Sequence, residues 1–247
     1  MLAEPEIHLA RSDGPDGADL DALSAAERRA LSAFRSEAAR RERIAGRAVV
    51  RRRLAAWHGL APADVPLAIG TNGRPVSPLG PPFSIAHGGG LVAVAFAPCE
   101  VGIDLEPLAP LGDDLDRLVR GYANDAEARA IGALPRAARE RAFLEMWVRK
   151  ESVLKATGMG LACDPRELDV RGEIVAFGAR RWRLHALALG AAYVGALALE
   201  APLPDEHLTT EANRCMTNSS MNLFHLRRPP MDAPVRFAPG SRRHAVT

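Results

Sequence analysis

Phe83-Ser-Ile-Ala-His-Gly-Gly-Gly-Leu-Val-Ala-Val-Ala-Phe-Ala97 holds two short apolar runs separated by three glycines. Such runs, divided by a glycine cluster, predict strands over Phe83–His87 and Leu91–Ala97 joined as a hairpin. Val101–Glu106 predicts a third strand, ended by Pro107 and Pro110. Upstream, Ser24-Ala-Ala-Glu27 is a capping box, in which a hydroxyl and a carboxylate satisfy the first N–H groups of a helix. Helical composition continues from there to about Trp57, with a break. Glu6–Ala10 reads as a short strand and Asp13–Asp21 as a loop rich in Gly and Asp. Pro62, Pro66, Asn72-Gly73 and the Pro/Gly cluster at 75–82 mark further loops.

Downstream, Asn124-Asp-Ala-Glu127 is a second capping box, opening a helix that stops near Pro135. A long helix is expected over Arg136–Thr157, with Gly158 as its C-terminal cap. Strands are expected at Glu167–Arg171, Arg181–Leu189 and Ala191–Glu200. Each part of the chain reads as helices followed by a hairpin of Ala, Val and Leu, and Ala192–Glu200 echoes Leu91–Pro98. The expected fold class is therefore α+β, in two similar halves, 1–98 and 99–200. Residues 201–247, rich in Pro, Asn, Thr and Arg and without a sustained period, are expected to be a disordered tail.

Composition narrows the function. Hydrophobic residues make up 47% and charged residues 25% of 247, the ordinary globular range. A net charge of +2 argues against a nucleic-acid binder. Cys99, Cys163 and Cys215 are odd in number and far apart, which argues against a disulfide framework. No signal peptide is read at the start, and the longest apolar stretch, Ala186–Leu199, is too short to span a bilayer. The expectation is a cytoplasmic monomer, with no membrane and no nucleic-acid partner.

The chemistry concentrates in Val101-Gly-Ile-Asp-Leu-Glu106. In a strand Val101, Ile103 and Leu105 face the core, while Gly102, Asp104 and Glu106 share the other face. Two carboxylates two residues apart repel unless a cation holds them, and Gly102 leaves room beside them for a ligand. Oxygen ligands alone favour a hard ion such as Mg²⁺. A solvated face with two exposed acids is the alternative at this point. On the long helix, Lys150 falls inside an apolar arc of Phe143, Met146, Trp147, Val153 and Leu154, with Glu151 at its edge. Trp147, Glu151 and Lys155 stack at i, i+4 and i+8. Of the 32 basic residues only Lys150 and Lys155 are lysines, so two ammonium groups stand where the chain elsewhere uses Arg. Arg40, Arg43, Arg47 and Arg51 form a basic stripe, ordinarily a solvated face, that beside a metal site could also receive phosphates. Arg74 lies on the Asn72-Gly-Arg-Pro75 turn, and His87 ends a strand directly before three glycines.

In this order, Gly73-Arg-Pro75, Phe83–His87, Val101–Glu106, Trp147-Val-Arg-Lys-Glu-Ser152 and Lys155 resemble the 4′-phosphopantetheinyl transferases, in particular the larger monomeric type that serves peptide and polyketide synthases. The resemblance covers roughly residues 20–175. It implies two α+β halves with coenzyme A in the cleft between them. It also implies transfer of the 4′-phosphopantetheine arm to a serine of an acyl or peptidyl carrier protein, releasing 3′,5′-ADP. Asp104, Glu106 and Glu151 match the family's Mg²⁺ acids. Arg47, Arg74 and His87 match contacts to the nucleotide end of coenzyme A, and Lys155 matches the lysine near the pyrophosphate. Glu151 and Lys155 are the expected catalytic residues, Glu151 removing the serine proton directly or through a water. The chain departs from the family at Ala86, where Ser is frequent, and at Tyr122-Ala-Asn124, where Phe-Phe-Ser is common. Two other classes use similar residues, a Mg²⁺-dependent nucleotide phosphohydrolase and a non-catalytic coenzyme A or carrier binder.

Overall fold

The computed structural model describes residues 2–13, 17–159 and 163–202. Its first part runs β1 (Glu6–Arg11), α1 (Gly17–Ala22), α2 (Ala25–Ala30), α3 (Glu37–His58), β2 (Ala68–Ile69), β3 (Pro75–Val76), β4 (Phe83–Gly88) and β5 (Leu91–Phe96). Its second part runs β6 (Val101–Pro107), α4 (Leu115–Tyr122), α5 (Asp125–Gly132), α6 (Arg136–Thr157), β7 (Ile174–Phe177), β8 (Arg180–Ala186) and β9 (Tyr193–Ala201). The fold is α+β. Both capping boxes form, Ser24 with Glu27 and Asn124 with Glu127, and α6 ends at Gly158 in the left-handed region.

The hairpin of β4 and β5 turns through Gly89 and Gly90, both at positive φ, which glycine adopts without strain. β5 also pairs with β1, giving the antiparallel order β1-β5-β4. The second sheet has the order β6-β9-β8-β7, also antiparallel. In each sheet the first strand of its part pairs with the last, and the last with the one before it. The sheets meet through a core of small and branched residues. Ala86, Ala93 and Ala95 from the first pack with Val101, Ile103, Leu105 and Leu197 from the second. The alanines let the two layers approach closely. Ser84 Oγ accepts the N–H of Ile103 across the seam at 3.2 Å.

Several expectations need correction. The predicted loop Asp13–Asp21 contains the start of α1. Leu20, Ala22 and Leu23 give that segment an apolar face, which packs on Ile44 and Ala48 of α3. Glu167–Arg171 is not a strand, although Leu168 and Val170 are buried with Asp169 exposed between them. Its backbone serves side chains instead. Lys150 donates to Leu168 O, Arg149 to Val170 O, and Val170 N–H donates to Glu127. The strand before β8 lies further on, at β7. β8 ends at Ala186 rather than Leu189, and β9 begins at Tyr193 and runs through Ala201. The expected tail, apart from Ala201 and Pro202, lies outside the described residues, as does Cys215. The helix α4 adds to the expected elements, and its N-cap Asp114 makes no side-chain capping bond.

Gly102 does not leave space for a ligand. α6 takes that space. A Cβ built at Gly102 would stand 1.8 Å from Ser152 O and 2.6 Å from Ala156 N. Those are backbone atoms of a buried helix and cannot rotate away. Gly102→Ala must push α6 off β6, and a loss of at least about 3 kcal/mol is expected, the upper end of overpacking costs. Urea unfolding of the variant checks it.

Candidate active site

The close approach at Gly102 sets the site. β6 lies directly under the last turns of α6, so the carboxylates of the strand and the polar residues of the helix meet without an intervening layer. Lys155, in the final turn of α6, reaches back to Asp104, with Nζ 2.7 Å from Oδ1. A cation in the last turn also suits the negative end of the helix dipole. Asp104 is 6% exposed, and its buried Oδ2 has no hydrogen-bond partner among the described residues.

Three acids share this corner, and their electrostatics show it. Burial raises the carboxyl of Asp104, with Lys155, then the Leu105 backbone N–H and, more weakly, His87 opposing. Glu106 is pushed up to about 7, first by burial and then by Asp104, with Glu151 and Glu42 adding and Lys155 opposing. Glu151 is raised by burial and by Asp104, against Lys155. One ammonium group therefore stands against several partly desolvated carboxylates, a set that a further cation would stabilise. Among the described residues, no three His, Cys, Asp or Glu side chains close into a cage for an ion. A Mg²⁺ ion does not need one, because it binds one or two carboxylates and keeps water or phosphate oxygens for the rest. Oxygen-only donors and the unpartnered Oδ2 of Asp104 fit such an ion.

The two lysines have different work. Lys155 joins the acids. Lys150 is 0% exposed and its Nζ meets Glu127 Oε2 at 2.8 Å, Pro165 O at 2.7 Å, and Leu168 O. Glu127 is equally enclosed, accepting the N–H groups of Asn124 and Val170. This pair pins α6 to the start of α5 and to the 164–170 loop. It is a structural pair.

Of the residues expected at the nucleotide end, His87 lies near the end of β4, meets Glu42 at 3.1 Å, and is a minor influence opposing the rise at Asp104. Arg74 lines a cavity of about 500 Å³ between the 72–83 loop and the end of α6. Its guanidinium is taken up within the protein, donating to Lys155 O, Ala156 O, Phe83 O, Val101 O and Glu100. Arg74 thus ties the loop to the turn that carries Lys155. Arg47 is 3% exposed, faces Glu27 at 3.7 Å, and is pulled down to about 10 by burial and by Arg43. Arg51 is spent on Glu27 and on the carbonyls of Pro62, Ala63 and Val65. Two members of the basic stripe on α3, Arg47 and Arg51, are thus buried, while Arg40 pairs with Glu37 near the surface at 2.7 Å. Ala86 is buried between the sheets. Tyr122 packs on Trp147 with ring centroids 4.5 Å apart, so an aromatic contact persists beside Ala123.

Sequence reasoning missed Glu42. Its carboxylate holds His87 Nδ1 at 3.1 Å and the N–H of Gly90 at 3.0 Å. On the sequence it looks like one acid among the arginines of a solvated helix.

Residues 100–194, which carry β6, α6 and all three acids, match the family model of the 4′-phosphopantetheinyl transferase superfamily. The 4′-phosphopantetheinyl transferase HetI of Nostoc is 32% identical over 172 residues, covering 65% of this chain and 72% of that protein. The chain belongs to this superfamily. A 4′-phosphopantetheinyl transferase of Bacillus subtilis is 26% identical over 162 residues, 65% of this chain and 71% of that protein. The Lys155–Asp104 pair and both of its acidic neighbours thus lie within the matched segment of the transferase. No helix among the described residues is long and apolar enough to cross a membrane.

Proposed function

We propose that this transferase moves the 4′-phosphopantetheine arm of coenzyme A to a serine hydroxyl of an acyl or peptidyl carrier protein, with Mg²⁺, releasing 3′,5′-ADP. One observation carries the reading. A buried carboxylate with an unpartnered oxygen, Asp104, is paired to Lys155 beside two further acids whose carboxyls are held high.

Asp104 and Glu106, with Glu151, are the residues that would hold the ion. When bound, Mg²⁺ supplies charge neutralisation on the pyrophosphate oxygens. The serine Oγ–P bond forms as the P–O bond to 3′,5′-ADP breaks, and negative charge grows on the leaving phosphate. Lys155 stands ready to meet that charge from the end of α6. The serine must lose its proton. Glu151 suits the task because burial and Asp104 raise its carboxyl, which makes it a stronger base than a free glutamate. His87 donates to a phosphate of the nucleotide end.

Lys155→Arg tests the cation. Arg is longer, planar and rigid, so its donors do not sit where a point-like ammonium sits. kcat is expected to fall at least about tenfold, with the KM for coenzyme A changing less. Steady-state kinetics read both. The reaction class is tested by following 3′,5′-ADP release with and without an apo carrier protein. Transfer requires release only when the carrier is present. Equal release without it would mean hydrolysis.

A further inference from the structure

Gly46 brings α3 down onto the β4–β5 hairpin, since a Cβ there would meet Ile85 Cγ2 at 2.9 Å. One helical turn earlier, this contact places Glu42 over the Gly88–Gly90 turn. Its two oxygens divide the work, Oε1 accepting Gly90 N–H at 3.0 Å and Oε2 meeting His87 Nδ1 at 3.1 Å. The turn does not depend on Glu42 alone. Ser12 N–H donates to Gly90 O at 3.0 Å, and Tyr193 Oη donates to Gly89 O at 2.6 Å. The His87 ring has no such second support. Its side chain is 42% exposed and Nε2 makes no hydrogen bond among the described residues, while Glu42 is only 12% exposed.

We propose that Glu42 is a positioning residue that fixes the His87 imidazole through Nδ1, so that Nε2 is the nitrogen presented to a phosphate oxygen of coenzyme A. A carboxylate on one ring nitrogen sets which nitrogen is offered outward and holds the ring plane. The backbone N–H of Gly90 keeps the carboxylate itself from turning away. The inference rests on the proposed binding of coenzyme A at this site.

The test is a double-mutant cycle on affinity. Wild type, Glu42→Ala, His87→Ala and the double variant are titrated with 3′,5′-ADP and with coenzyme A by calorimetry. Thermal melts confirm that each is folded, and Glu42→Gln serves as a milder variant that keeps an acceptor oxygen. Glu42→Ala is expected to weaken binding by about tenfold, the scale of a lost charge-assisted hydrogen bond. In the His87→Ala background, removing Glu42 is expected to change affinity less than about twofold, because its partner is already gone. Glu42→Gln should fall between wild type and Glu42→Ala. If the two single effects add in the double variant, Glu42 acts through the turn or the helix and the inference is overturned. Equal affinity of Glu42→Ala and wild type overturns it as well. Should wild type bind neither molecule, the proposed function itself fails, an outcome separate from a non-additive or additive cycle.

Discussion

Asp104→Ala is expected to lower kcat by roughly two to four orders of magnitude while the protein stays folded, the scale of losing a main charge stabiliser. The two halves of that expectation come from the same geometry. Asp104 is nearly enclosed and holds Lys155 with one oxygen, leaving the other without a partner. Burying a carboxylate so is costly, so removing it relieves a desolvation penalty. Lys155 keeps a way out to solvent, with a side chain 30% exposed, and is not left as a buried unpaired charge. The variant should therefore melt within a few degrees of wild type. Activity within a few-fold of wild type at saturating Mg²⁺ would remove Asp104 from the reaction.

The opposite pattern is expected one turn away. Lys150→Ala should cost about 3–5 kcal/mol of stability, because it leaves Glu127 charged and enclosed with its ion partner gone. Three attachments fail together: α6 to α5, α6 to Pro165, and α6 to Leu168. Chemical unfolding reads the loss, and kcat per folded molecule should fall far less than in Asp104→Ala. Loss of activity without loss of stability would place Lys150 in the chemistry instead.

These two lysines show how far the sequence could be read. Their rarity among arginines pointed to a site at both positions, but at Lys150 the structure shows an enclosed ion pair with Glu127 instead. It could not say that one is a fastener and the other a site group, because that depends on which elements α6 touches at each turn. The alternation in Val101–Glu106 and the caps of α5 and α6 are local, so strand, helix and cap were legible. The role of Gly102 was not, since it depends on a helix some fifty residues later lying on the strand. Glu167–Arg171 shows the same limit. Alternating burial is present there, but Lys150, Arg149 and Glu127 take the backbone groups that a neighbouring strand would need. Arg74 stands on a turn in the sequence, and only the fold shows its guanidinium bonded to Glu100 and four backbone carbonyls, whereas Arg47 is buried facing Glu27 at 3.7 Å. Glu42 gave no signal at all, because its meaning lies in the glycine turn that α3 is packed against.

The central claim is that this chain attaches a phosphopantetheine arm to a carrier protein. Intact-mass spectrometry tests it most directly. Apo acyl and peptidyl carrier proteins are incubated with coenzyme A, Mg²⁺ and the enzyme, beside a parallel set containing Asp104→Ala and another containing a chelator. The account expects at least one carrier to gain the mass of a single phosphopantetheine arm on its serine, with wild-type enzyme and Mg²⁺ only. Coenzyme A broken down while every carrier keeps its apo mass would contradict it, as would equal modification by Asp104→Ala.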